Sequence, residues 1–181
     1  MFNKFELIGA GVSVFFMALA IYLVQVETTL FQSGKAGQSA QVIESAVPDV
    51  VIVSESDEKT RAGAYLQAVD KKGNFNSMVI DDIKLGTGDA VKEGDTVAVH
   101  YVGNLQGGAE FDNSRKRGTP FEFTVGKGMV IEGWDKGLVG MQVGGQRALV
   151  IPPEMAYGEQ GIGPIPPNST LVFMIELVEI K

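Results

Sequence analysis

Eighteen consecutive residues without a charge, Leu7 to Val24 (LIGAGVSVFFMALAIYLV), constrain this chain more than any other feature. A helix over this run has no polar face through five turns, so it cannot lie half-buried on a globular surface. It also reaches the roughly 18 to 20 residues needed to cross a hydrocarbon core of about 30 Å. Residues 1–26 therefore read as a single-pass membrane anchor. Ala18-Leu19-Ala20 has the small-x-small form of a signal-peptidase site, but cleavage there would leave IYLVQV as an apolar end, and the run continues past the alanines, which favours an uncleaved anchor. Lys4 and the amino terminus precede the run, and the first basic residue after it is Lys35. That asymmetry sets the N-terminus inside and the rest of the chain facing a periplasm or other exterior.

Residues 27–76 change character. Gln, Ser, Ala and Gly dominate to about Ala46, with no aromatic after Phe31 in that stretch, the composition of a linker. AVPDVVIV (Ala46 to Val53) is too short for a domain. Ser56 is placed to cap a helix over 57–72, with Ala62, Tyr65, Leu66 and Val69 as its apolar positions and Lys71-Lys72-Gly73 as its end. Such a helix is either a docking or dimerising surface or a short element lying on the globular domain, and the second is favoured.

From residue 77 to 181 the pattern becomes compact. Met78 to Leu85, Thr96 to Leu105, Phe121 to Val125, Gln146 to Ile151 and Thr170 to Ile180 read as strands rich in β-branched and apolar residues. Val130, Trp134 and Leu138 fall at helical spacing, with Gly137 and Gly140 limiting that helix. The expected fold is α+β, an antiparallel sheet of about five strands wrapped around one short helix.

Several chemistries fail on residue supply. With no cysteine, disulfide frameworks and thiolate chemistry are excluded, and the one histidine, His100, sits in an apolar strand without a Gly-x-Ser-x-Gly elbow elsewhere. Adjacent carboxylates such as Asp81-Asp82 point to opposite faces of a strand, which disfavours a metal site and suggests a solvated face. A net charge of −7 and the lack of a basic stripe argue against nucleic acid. The glycine-rich segments match no phosphate loop. Asn168-Ser169-Thr170 is formally a sequon but has the composition of a turn before a strand.

Aromatic residues are what the domain has in excess. Tyr101, Phe111, Phe121, Phe123, Trp134, Tyr157 and Phe173 are close in sequence, and Phe111 and Tyr157 lie in loop-like stretches, AEFDNSRKRGTPF and PPEMAYGEQGIGPIPP. Aromatics gathered beside ordered loops make an apolar cleft with a few polar tips. Phe123 reads as core.

GDTVAVHYVGNL, FDNSRKRGTPFEFTVGKGMVIEGWDKGLVGM, VGGQRALVIPPEMAYGEQG and IPPNSTLVFMIELVEI resemble, in order and spacing, the signature blocks of the FKBP-type peptidyl-prolyl cis/trans isomerases. The resemblance spans about residues 77–181. It implies a shallow pocket for a proline ring, with Trp134 as floor, Tyr101, Phe121, Val130, Ile131 and Phe173 as walls, and Phe111, Asp112, Arg117, Tyr157 and Ile165 at the rim and polar positions. Among these it implies catalytic roles for the Tyr157 hydroxyl and the Ile131 backbone N–H, near the substrate carbonyls, and for Asp112, which orients the pocket through Tyr101 or Arg117. It further implies proline-containing polypeptide clients, macrolide inhibitors and no cofactor. The loop over 158–166 departs from the family: it is shortened and carries Ile162 and Gly163 near the position of a frequent histidine. The expected activity is isomerisation of X-Pro bonds in exported or membrane-proximal proteins, with a non-catalytic holdase or adaptor using the same cleft as the rival.

Overall fold

A computed structural model describes residues 50–53 and 58–181. The segment 7–24 and the Ser56 cap lie outside these. Among the described residues no helix is long and apolar enough to cross a membrane.

The order along the chain is β1 (Val50–Val53), α1 (Glu58–Gln67), β2 (Met78–Lys84), β3 (Thr96–Leu105), β4 (Glu110–Asn113), α2 (Ser114–Arg117), β5 (Phe121–Thr124), α3 (Glu132–Gly137), β6 (Gln146–Ile151), a 3-10 turn (Pro153–Met155) and β7 (Leu171–Ile180). The sheet runs β1-β2-β6-β7-β3-β4, with β5 also on β3. Two ten-residue strands form its spine: β3 pairs along its length with β7, from Val97↔Ile180 to Leu105↔Leu171. The other edge of β3 is shared, its first half by β5 and its second by β4.

The mixed α+β architecture with a short central helix is as expected; the strand count is not. Among the described residues seven strands replace the expected count of about five, and β1 runs parallel to β2 in an otherwise antiparallel sheet. Both additional strands sit at sheet edges. β1 (VVIV) is strongly β-prone but only four residues long, whereas β4 (EFDN) has little β-propensity of its own and depends on its partner strand.

Cross-strand register decides which face each side chain takes. Ile80, Leu149, Phe173 and Gly103 form one row, and Asp82, Arg147, Ile175 and Tyr101 the next, all on the face covered by α3. The helix lies unusually close: a Cβ on Gly133 would stand 2.5 Å from Ile151 Cγ2, and one on Gly137 2.6 Å from Met78 Cε. Glycines four apart thus present a bare helix face to the sheet, which leaves Trp134 and Leu138 to fill the remaining space.

The opposite face of β2 is covered too. Val51, Val53, Val79, Tyr65 and Ala68 are buried there, and the Tyr65 hydroxyl donates to Asp81 Oδ2 at 3.4 Å. Met78 to Asp81 are therefore all buried, the signature of a strand covered on both sides. This corrects the solvated reading of Asp81-Asp82: Asp81 is inside, and Asp82 pairs with the buried Arg147. The first helix ends at Gln67 rather than at Lys72 because the Asp70 carboxylate accepts from the Lys72 and Asn74 amides at 2.7 and 2.9 Å, closing a turn.

Candidate active site

Four aromatic rings meet on the α3 face of the sheet. Trp134 lies 5.0 Å from Tyr101, 5.2 Å from Phe173 and 5.6 Å from Phe123 between ring centroids, with the first two edge-to-face. Such geometry suits the ring quadrupoles. Phe111 extends the group, 5.6 Å from Phe173. That pair needs Gly103 beneath it, since a Cβ there would fall 2.7 Å from Phe111 Cζ and 2.9 Å from Phe173 Cε1. Phe123 stacks on Phe121 at 5.7 Å and is buried in the core.

The cluster reaches solvent on one side. Phe121 contacts both Tyr101 and Trp134 yet stays 37% exposed. Val130 and Ile131, half-buried, pack against the same core just ahead of α3. Among the described residues the Ile131 amide makes no hydrogen bond, as befits the position preceding a helix's first turn. The loop that carries these two is tied to α3 by Asp135, whose carboxylate accepts from the Gly126 and Gly128 amides at 2.8 and 2.9 Å. Ile165 is buried in the same cluster, held by a two-bond bridge to the exposed Ile162.

The polar groups form a compact set beside the rings. Asp112 accepts from the Tyr101 hydroxyl and from Arg117 Nη1, and its Oδ1 also accepts from the Asn113 amide at 2.7 Å. Arg117 Nη2 donates to the Tyr101 oxygen at 2.8 Å while its guanidinium lies 5.4 Å above that ring. Both bridges expected of Asp112, to Tyr101 and to Arg117, therefore coexist. Burial raises the Asp112 pKa, but the hydrogen bonds from Tyr101, Arg117 and Asn113 outweigh it and hold the carboxyl below the usual carboxylate range. Tyr101 is pushed up by burial and then by its bond to Asp112. Tyr157, 38% exposed, is pushed up by burial and then by the Asp112 charge, which ties it electrostatically to the same group.

Phe111 and Asp112 lie on β4 and Arg117 ends α2, not in a loop as expected. Asn113 caps that one-turn helix by accepting from the Arg115 amide at 2.9 Å. Fully buried Ser114 then holds it to β3: its Oγ accepts from the Tyr101 amide at 2.8 Å and lies 3.1 Å from His100 Nδ1. Ser114 and Asp135 escaped sequence reasoning, because a serine and an aspartate in turn-rich segments carry no signal that separates supports from surface.

This arrangement can receive a compact apolar ring over Trp134 and hold the adjoining backbone by polar contacts at its edge. Ser114 Oγ lies beside His100 Nδ1, but it is fully buried, so that pair offers the cleft no accessible nucleophile.

Comparison with known proteins agrees with the geometry. Residues 88–178 match the family model of the FKBP-type peptidyl-prolyl cis-trans isomerases. FK506-binding protein 4 of Neurospora crassa is 56% identical over 104 residues, 58% of this chain but 22% of that protein. FK506-binding protein 2 of Emericella nidulans is 57% identical over 90 residues, 49% of this chain and 67% of that protein. The chain thus spans about a fifth of the length of the FK506-binding protein 4 relatives. Among crystal structures, FkpA from Escherichia coli superposes with a TM-score of 0.54 at 47% identity, covering 62% of this chain and 50% of that one. AtFKBP13 superposes at 0.56 and 39% identity, covering 63% and 98%.

Proposed function

Because the chain belongs to the FKBP-type peptidyl-prolyl cis-trans isomerases, a family of isomerase enzymes, we propose that its aromatic cleft accelerates rotation about X-Pro bonds in polypeptide clients. The observation that carries this reading is the Trp134 floor walled by Tyr101, Phe173 and Phe121 beside the Tyr101–Asp112–Arg117 set. Amide resonance sets the uncatalysed barrier at ~18 to 20 kcal/mol. In the twisted transition state conjugation is lost and the carbonyl is less charge-separated, so an apolar, water-poor cleft favours it over the planar ground state. No proton has to move. A hundred-thousandfold acceleration requires about 7 kcal/mol, more than apolar contact alone supplies. The Ile131 amide and the Tyr157 hydroxyl contribute the rest as donors to the client's carbonyls. Asp112 acts indirectly, fixing Tyr101 and Arg117.

The same cleft takes FK506-type macrolides, the ligands that name the curated relatives. Residues 7–24 tether the domain to a membrane, so that its clients are exported or membrane-proximal chains. Retention of the full chain in membranes after a high-salt wash supports that part, and a soluble mature chain starting at Ile21 contradicts it. The isomerase reading is tested by a protease-coupled assay on a proline tetrapeptide with the full chain. Turnover inhibited by an FK506-type macrolide is expected; macrolide binding without turnover would instead mark a binding module.

A further inference from the structure

Arg147 is a buried cation that the proposed mechanism does not use. Its side chain is 8% exposed, and burying a guanidinium is unfavourable unless its donors are met. They are met on two sides at once. Nε and Nη2 donate to Asp82 Oδ1 and Oδ2 at 2.7 and 2.9 Å, a bidentate pair across β2 and β6. Nη1 donates to the carbonyls of Gly137 and Val139 at 2.7 and 3.2 Å. Those are carbonyls at the C-terminal end of α3 and just beyond it, where a helix leaves acceptors without partners of its own.

We infer that Arg147, fixed by Asp82, is a positioning residue for the pocket floor: it ties the end of the helix that carries Trp134 to the sheet and so sets the depth of the indole. The pocket and this clamp share one face, since Tyr101, Ile175, Arg147 and Asp82 stand in a single cross-strand row. Trp134 lies three residues before Gly137 on a helix of six, so a shift at its C-terminal end is passed on within one turn. Gly133 and Gly137 permit the close approach, but contact without a side chain lets the helix slide. The hydrogen bonds from Arg147 to the Gly137 and Val139 carbonyls are directional where the glycine contacts are not, and they join the helix end to β6. Lysine keeps the charge but has no planar fork with which to hold carboxylate and carbonyls together.

The kinetic arm rests on the isomerase reading; the optical arm does not, because Trp134 is the only tryptophan in the chain and its emission reports the floor directly. In the full chain, Arg147→Lys should shift Trp134 emission to the red and increase its quenching by acrylamide, measured where urea titration shows the variant to be folded. The floor touches the proline ring in planar and twisted states alike, so KM should rise and kcat/KM fall roughly ten- to hundredfold, with kcat less affected. Partial unfolding alone would lower apparent kcat at constant KM. Should Arg147→Lys fail to fold, Asp82→Asn, which keeps the shape and one acceptor, should move emission and KM in the same direction by less. Wild-type emission, quenching and KM in a folded variant would overturn the inference, as would a fall confined to kcat. If the wild type itself lacks turnover, the isomerase reading has failed, and the emission and quenching arms alone decide.

Discussion

At the residue scale the pocket divides into groups that pack and groups that hold charge. Trp134, Tyr101 and Phe173 are legible in the sequence because aromatics are scarce enough for an excess in one segment to be conspicuous. Asp81 and Asp82 were not legible: only strand pairing reveals that one lies under Tyr65 and the other against Arg147. Tyr157→Phe removes one hydroxyl and keeps the ring, so a loss of about 0.5 to 1.5 kcal/mol, roughly two- to tenfold in kcat/KM, is expected from steady-state kinetics. Abolition in a folded variant would point to chemistry beyond a single donor. His100 gives a separate, stability-level prediction. Burial and then the Arg115 charge lower its pKa, with Glu176 opposing them. The unfolded chain therefore takes up a proton first as pH falls, and stability should be fully present above about pH 6.5 and decline below it towards the folded value. The drop in Tm between pH 7.5 and 5.5 should be smaller in His100→Gln; an equal drop in both would assign the acid sensitivity to other groups.

At the element scale, the longer strands with their own β-branched run were readable almost to the residue: Thr96–Leu105 and Gln146–Ile151 form as expected, and Leu171–Ile180 starts one residue late. β4 and α2 were hidden because EFDN and SRKR carry polar, turn-like signals and are stabilised by β3, the Asn113 cap and Ser114 rather than by propensity. The helix over Glu132–Gly137 shows the same limit. Gly137 reads in sequence as a limit of the helix, whereas the use of Gly133 and Gly137 is contact with β2 and β6. Gly133→Ala should destabilise the domain by about 1 to 3 kcal/mol in urea titration, because the stiff Ile151 stands in the way. Gly137→Ala should cost less: the flexible ends of Met78 and Leu149 can yield, and alanine gains up to about 1 kcal/mol of helix propensity. The reverse order would mean that α3 is not seated as described.

At the scale of the whole molecule, the sheet begins at Val50, ahead of the boundary expected at residue 77. The signal was weak because β1, though wholly apolar, is only four residues long, and the helix after it is largely polar. Val51, Val53, Tyr65 and Phe75 are nonetheless buried, each worth roughly 1.5 to 3 kcal/mol when fully covered. A fragment of residues 77–181 should therefore unfold at much lower urea than one of residues 46–181, which forms a compact unit. Equal midpoints would show that β1 and α1 are ornaments on an independent sheet. The central claim is that the cleft catalyses rotation without proton transfer, and two-dimensional exchange NMR of a proline peptide with the full chain tests it most directly. Asp112 ionises below the usual carboxylate range, and Tyr101 and Tyr157 are pushed above the usual tyrosine value of about 10. Cis/trans exchange should thus be accelerated at a rate that stays nearly flat from about pH 6 to 8, with a solvent deuterium isotope effect near unity. No acceleration by the folded protein, or a steep pH dependence with a large isotope effect, would contradict the account.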